Sequence, residues 1–190
     1  MTSVVLFHHA YGCTKGVEDF AGRLRAAGHD VAVPDLYDGR TFDALDAGIG
    51  YAKEVGFETI LERGRLAADH LPHEIVYAGF SLGVMPAQML AQTRPGAKGA
   101  LLFQGCFPVS EFGTEWPRGV PVQIHGMESD EFFDEDRSAA SDLVALVEGA
   151  ELFLYPGDKH LFVDNSLPDY DEDAATLLMQ RVLVFLENLR

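Results

Sequence analysis

The sequence predicts an α/β fold: a mostly parallel, six-stranded sheet with helices on both faces. Three observations predict it. Six short apolar segments alternate with helix-compatible segments along the chain, the pattern of strands joined by crossover helices. The segments at 4–7 and 75–78 are continuously apolar rather than alternating, which suits strands covered on both sides. One segment runs into Gly79-Phe80-Ser81-Leu82-Gly83, and a helix-compatible stretch follows, so strand, sharp turn and helix occur in succession. With 190 residues, the chain is long enough for a full core, and one domain over 1–190 is expected.

The elements follow in order. The first strand is 4–7. A loop at 8–16 precedes a helix at 17–27, where Phe20, Leu24 and Ala27 recur at helical spacing and Gly28 stops the run. A second strand at 31–33 ends at Pro34. Residues 35–50 are polar and glycine-containing and read as a loop with a short helix. Ile60, Leu61, Gly64, Ala67, Ala68 and Leu71 mark a helix over 57–71, with Pro72 beyond its end. The strand at 75–78, the serine turn and a helix at 84–92 come next. Strands at 100–103 and 120–124 follow, the latter closed by His125-Gly126. A helix over 134–147, a last strand at 151–154, a loop over 156–170 and an amphipathic helix over 173–189 complete the chain.

Composition narrows the function classes. The formal net charge is -16, with no basic stripe to neutralise phosphates, which argues against nucleic acid and against an anionic membrane surface. No apolar run reaches membrane-spanning length, and the N-terminus runs directly into a strand. Cys13 and Cys106 are far apart and form no metal pattern, so a reduced, cytoplasmic protein is expected. The acidic runs at 128–136 and 164–173 read as solvated loops and helix starts; their spacing does not fit a calcium loop.

The serine turn carries the chemistry. A nucleophile at the apex of such a turn needs small neighbours on both sides, and Gly79 and Gly83 provide them. A serine hydroxyl also needs a base to take its proton and a carboxylate to orient that base. His160 lies in the loop after the last strand and Asp130 in the loop after the strand before, so the order Ser81, Asp130, His160 is that of α/β-hydrolases. Glu128 and Asp134 are rivals for the acid; Asp130 is preferred for its distance from the strand end. His29, His70 and His73 read as surface or capping residues, and His125 as a packed residue at a strand end. His8 and His9 are adjacent and point apart, with no obvious third ligand, so no metal is expected. Negative charge on an attacked carbonyl needs aimed amides; those of Leu82 and Ala10 are the candidates.

With these residues placed, the chain resembles the dienelactone hydrolase family, a compact branch of the α/β-hydrolases, nearly end to end. The resemblance rests on His9-Ala10-Tyr11-Gly12, Val33-Pro34-Asp35-Leu36-Tyr37, Gly79-Phe80-Ser81-Leu82-Gly83 and Gly157-Asp158-Lys159-His160-Leu161-Phe162. It implies hydrolysis of a small-molecule ester or lactone through a covalent acyl-enzyme, with no cofactor, by a triad of Ser81, Asp130 and His160 and oxyanion amides at Ala10 and Leu82. The best-known members carry cysteine where Ser81 stands, glutamate where His9 stands, and a substrate-binding arginine where Asp164 stands; a second substrate arginine has no counterpart. An acidic chain without that arginine favours a neutral ester or lactone over an anionic one. His9, Tyr11, Phe107 and Phe162 are candidates for the substrate-binding wall. A monomer or small homo-oligomer is expected. A thioesterase or acyltransferase with the same triad is an alternative, as is a non-catalytic binding module on the same fold. Acceptor competition separates the former, and reaction with a fluorophosphonate probe the latter.

Overall fold

The computed structural model describes residues 1–189. Six strands, β1 (Ser3–Phe7), β2 (Asp30–Ala32), β3 (Ile75–Phe80), β4 (Ala97–Phe103), β5 (Val122–Met127) and β6 (Ala150–Tyr155), form one sheet in the order β2-β1-β3-β4-β5-β6. Every neighbouring pair is parallel. The chain first goes outward from β1 to β2 and then returns to place β3 on the other side of β1. The order therefore reverses between β1 and β3, and the crevice beyond their carboxyl ends is where such sheets bind ligands.

Alternation along each strand feeds two cores. Val5, Phe7, Tyr77, Leu102 and Ile124 point to one face, where they meet α3 (Phe57–Ala68), α4 (Val84–Thr93) and α5 (Glu131–Leu146). Val4, Leu6, Val76, Ala78 and Leu101 point to the other, against α1 (Lys15–Ala26) and α6 (Glu172–Asn188). β3, in the middle of the sheet, is buried along its whole length, which is why it reads as an unbroken apolar run; β5 is buried as completely although it carries Gln123 and His125.

Several boundaries differ from expectation, each for a physical reason. The 35–50 segment was expected to hold a short helix; α2 (Leu45–Val55) is eleven residues long and runs past Gly50, ending only at Gly56, whose φ of 91° turns the chain into α3. β5 begins after Pro121, whose carbonyl accepts the Ala100 N–H, and it continues through His125 and Gly126 instead of closing there. A side chain at Gly126 would strike the Phe133 ring, so the glycine lets α5 lie close on the strand. α5 starts at Glu131, not 134, because Asp130 caps it, its carboxylate accepting the Phe132 N–H at 3.0 Å.

Candidate active site

β3 delivers Ser81 to the crevice. The strand ends at Phe80, Ser81–Gly83 forms one tight turn, and α4 begins at Val84. Ser81 has φ of 47°, a left-handed conformation uncommon for a residue with a side chain. Room for it depends on the flanking glycines. A Cβ on Gly79 would strike the Gly83 carbonyl, and one on Gly83 would strike the carbonyls of Phe7 and His8. The serine turn is thus pressed against the end of β1.

Two other strand ends complete a hydrogen-bonded chain. The Ser81 hydroxyl lies 2.8 Å from His160 Nε2, and His160 Nδ1 lies 2.7 Å from Asp130 Oδ2. His160 and Asp130 are buried, and Ser81 is partly exposed. The other Asp130 oxygen is the α5 cap, so one carboxylate holds both a helix and an imidazole. The rival acids are elsewhere: Glu128 and Asp134 face solvent, and Asp134 pairs with Arg137. The loop after β4 is fixed from two sides. Gln88 accepts the Phe107 N–H and donates to its carbonyl, while Asp136 accepts the Cys106 N–H at 3.1 Å.

The remaining sequence candidates divide. Leu82 follows the serine and is partly exposed; Ala10 is buried, its carbonyl packed on Gly48. Tyr11 and Phe107 are half-buried, Tyr11 edge-on to His9 and Phe107 edge-on to Phe112. Phe162 is a correction. It is wholly buried in the core beneath α1 and α6, packed on Tyr155, and forms no pocket wall. His9 is a second correction. It is wholly buried, Nε2 meets Asp164 Oδ2 at 2.8 Å and Nδ1 meets the Tyr11 N–H at 3.3 Å, so neither ring nitrogen is left for a substrate.

Asp164 was expected in a solvated loop and is instead buried. It also accepts from Thr14 Oγ1 at 2.5 Å and from the Ser166 backbone at 2.8 Å. Burial favours its neutral form, but the hydrogen bonds from His9, Ser166 and Thr14 outweigh that and hold its carboxyl at about 2. Burial in turn lowers the basicity of His9. The pair is a neutral imidazole and a carboxylate.

Phe132 is a site residue that sequence reasoning missed. It is 51% exposed, and its ring centroid lies 4.8 Å from that of His160. Its position follows from the α5 cap two residues earlier, which no local pattern announces. His29 is buried at the junction of α1 and β2, not on the surface. His125 lies within β5, fully buried, with Nδ1 2.9 Å from the Tyr155 hydroxyl; burial pushes its pKa down to about 3.

The structure also brings third partners to His8. Donor atoms of His8, Cys13 and Asp35 lie within 4.8 Å of one another. All three are committed. His8 Nε2 accepts the Leu36 N–H at 2.9 Å, Asp35 Oδ1 accepts the Tyr37 N–H at 2.8 Å, and burial pushes the Cys13 thiol up to about 12. A cation there would have to break two backbone hydrogen bonds and ionise that thiol.

The family model of the dienelactone hydrolase family matches residues 1–189. The chain belongs to the dienelactone hydrolase family. Solved structures agree on the fold. A dienelactone hydrolase-like promiscuous phosphotriesterase from metagenomic libraries superposes with a TM-score of 0.79 at 20% identity, covering 100% of this chain and 87% of that one. The dienelactone hydrolase from Anabaena variabilis gives 0.72 at 17%, covering 98% and 86%. Esterase 2 of Thermogutta terrifontis, phosphonylated by cyclosarin, gives 0.72 at 16%, covering 99% and 83%. Among curated proteins, pimeloyl-[acyl-carrier protein] methyl ester esterase of Cronobacter sakazakii is 28% identical over 104 residues, 55% of this chain and 40% of that protein's length. Among the described residues of this dienelactone hydrolase family member, no helix is long and apolar enough to cross a membrane.

Proposed function

We propose that this protein hydrolyses a neutral carboxylic ester or lactone through an acyl-enzyme on Ser81. The observation that carries the reading is the continuous chain from the Ser81 hydroxyl through His160 to Asp130, at 2.8 and 2.7 Å. His160 Nε2 takes the serine proton as Oγ attacks the carbonyl carbon. Asp130 holds the Nδ1–H tautomer and steadies the imidazolium that forms. The amides of Leu82 and Ala10 receive the oxyanion; the neighbouring Gly12 and Tyr11 amides are bound back to His9. A single aimed donor of this kind contributes about 3 kcal/mol to the transition state. His160 then returns the proton to the leaving alcohol, activates a water, and the acid departs. This chemistry needs no cofactor.

Neutrality of the substrate rests on the surroundings. The chain carries a formal charge of -16. Arg137, on the helix that also bears Phe132, is held by Asp134 and by the Glu128 carbonyl. Phe132 beside His160 offers an apolar surface for an acyl or alcohol group. Two unpaired cysteines accord with a reducing compartment such as the cytoplasm.

The test is covalent. A fluorophosphonate probe is expected to label Ser81 in the wild type and nothing in Ser81→Ala, and neutral short-chain esters or lactones are expected to turn over to free acid only. An unlabelled wild-type serine would sink the reading. Product appearing on an added alcohol or thiol acceptor in preference to water would replace hydrolysis by acyl transfer.

A further inference from the structure

We propose that His9 and Asp164 are a positioning pair, which fixes the backbone of the loop after β1 and ties it to the loop that carries His160. The inference rests on the serine-hydrolase reading and deepens it.

Backbone donors fix the proton positions. The Tyr11 N–H can only donate, so His9 Nδ1 must accept, and the one ring proton of neutral His9 sits on Nε2. That proton goes to Asp164 Oδ2 at 2.8 Å. The two side chains are 0% and 2% exposed and lie 155 residues apart in sequence. The hydrogen bond crosses from the β1 loop to the segment four residues past His160. Thr14 Oγ1 binds the same carboxylate oxygen, and the Ser166 backbone and hydroxyl bind the other. Asp164 is therefore saturated, and a side chain at Gly16 would strike it.

The rest of the loop is braced from the opposite side. His8 Nε2 accepts from Leu36, Phe42 donates its N–H to the Tyr11 carbonyl at 3.0 Å, and Gly48 packs on the Ala10 carbonyl. His9 and Thr14 both reach Asp164 in the β6–α6 loop by a side-chain hydrogen bond, and of the two His9 is the one next to the Ala10 peptide. It thereby sets how the Ala10 peptide stands relative to the serine turn. Loss of one orienting contact shifts amides by tenths of an ångström, which matters where they must meet charge that exists only in the transition state.

Asp164→Asn tests this. The amide keeps the shape, but only one of its two ends can accept. If the NH2 group faces His9, the ring must move its proton to Nδ1 and the Tyr11 N–H loses its acceptor. The expected result is a folded protein with kcat reduced about 10- to 100-fold and KM within about threefold of wild type, the pattern of an interaction made in the transition state. A lower melting temperature with kcat within about twofold of wild type would reduce the pair to a structural contact and overturn the proposal. Nitrogen-15 spectra of wild-type His9 supply the second measurement, and they decide the matter if the variant does not fold. A neutral Nε2–H tautomer throughout the active pH range supports the pair; an Nδ1–H or doubly protonated ring overturns it. These spectra need no turnover, so their outcome is separable from that of Ser81 labelling.

Discussion

Two histidine–carboxylate pairs stand on the same rim of the sheet, and they differ in one atom's surroundings. His160 meets Asp130 at 2.7 Å and His9 meets Asp164 at 2.8 Å. In both, one ring nitrogen donates to a buried carboxylate. The second nitrogen decides the rest. That of His160 faces a partly exposed serine hydroxyl, which can give up its proton; that of His9 faces a backbone amide, which cannot. The same imidazole–carboxylate unit can thus serve as a base in one place and a brace in the other. Pairing with an acid does not by itself identify a catalytic histidine.

The comparison breaks most visibly at Asp130. Asp130→Asn should lower kcat/KM by about 10,000-fold, because an amide favours the wrong tautomer of the base. That loss should far exceed the one expected of Asp164→Asn. Steady-state kinetics on both variants checks the ranking, and equal losses would mean that the two pairs share one role.

A third buried histidine sharpens the contrast, since His125 has no carboxylate. Its Nδ1 meets the Tyr155 hydroxyl, its Nε2 lies 3.3 Å from Gln123 Oε1, and its ring stacks on Phe153. Burial holds its pKa at about 3 in the folded protein. The unfolded chain takes that proton near pH 6.5, so the unfolded state binds more protons between pH 6.5 and about 3. Stability should fall as pH drops through that window, by about 1.4 kcal/mol per unit once well below 6.5. Denaturant melts at several pH values should show a slope shallower by about one proton in His125→Phe. An unchanged slope would place the acid sensitivity elsewhere, with His9 the next group to test.

The smallest effect concerns Phe132, the exposed ring tilted against His160, where His9 instead meets the half-buried Tyr11 edge-on. Phe132→Ala removes an exposed aromatic surface without opening the core. It should reduce kcat/KM for apolar esters by about two- to tenfold, with the melting temperature unchanged. A loss confined to stability would remove Phe132 from the site.

The fold was legible because it depends on patterns that survive without coordinates. β1 and β3 are buried almost throughout and read as apolar runs, and glycines at 79 and 83 are demanded by a turn with no room for a Cβ. Ser81, Asp130 and His160 could be expected to lie together because each follows a strand, and strand ends converge whatever the loops contain. Asp164 was misread because its environment comes from Thr14 and His9, some 150 residues away. In sequence it is one more acid in an acidic run. Phe162 failed for the opposite reason: its neighbour His160 is in the site, but the chain turns between them and sends the ring into the core. α2 was cut short because Gly48 and Gly50 look like breakers, whereas Gly48 is where the helix closes on the Ala10 carbonyl.

Asp130 divides its two oxygens between the start of α5 and the imidazole of His160. Thermal fraying of a single helical turn is therefore transmitted directly to the base, while the six strands remain intact. Loss of turnover on warming should precede cooperative melting. A longer acid at the same position cannot satisfy both partners at once, so thermal tolerance and proton transfer are traded against each other at one carboxylate.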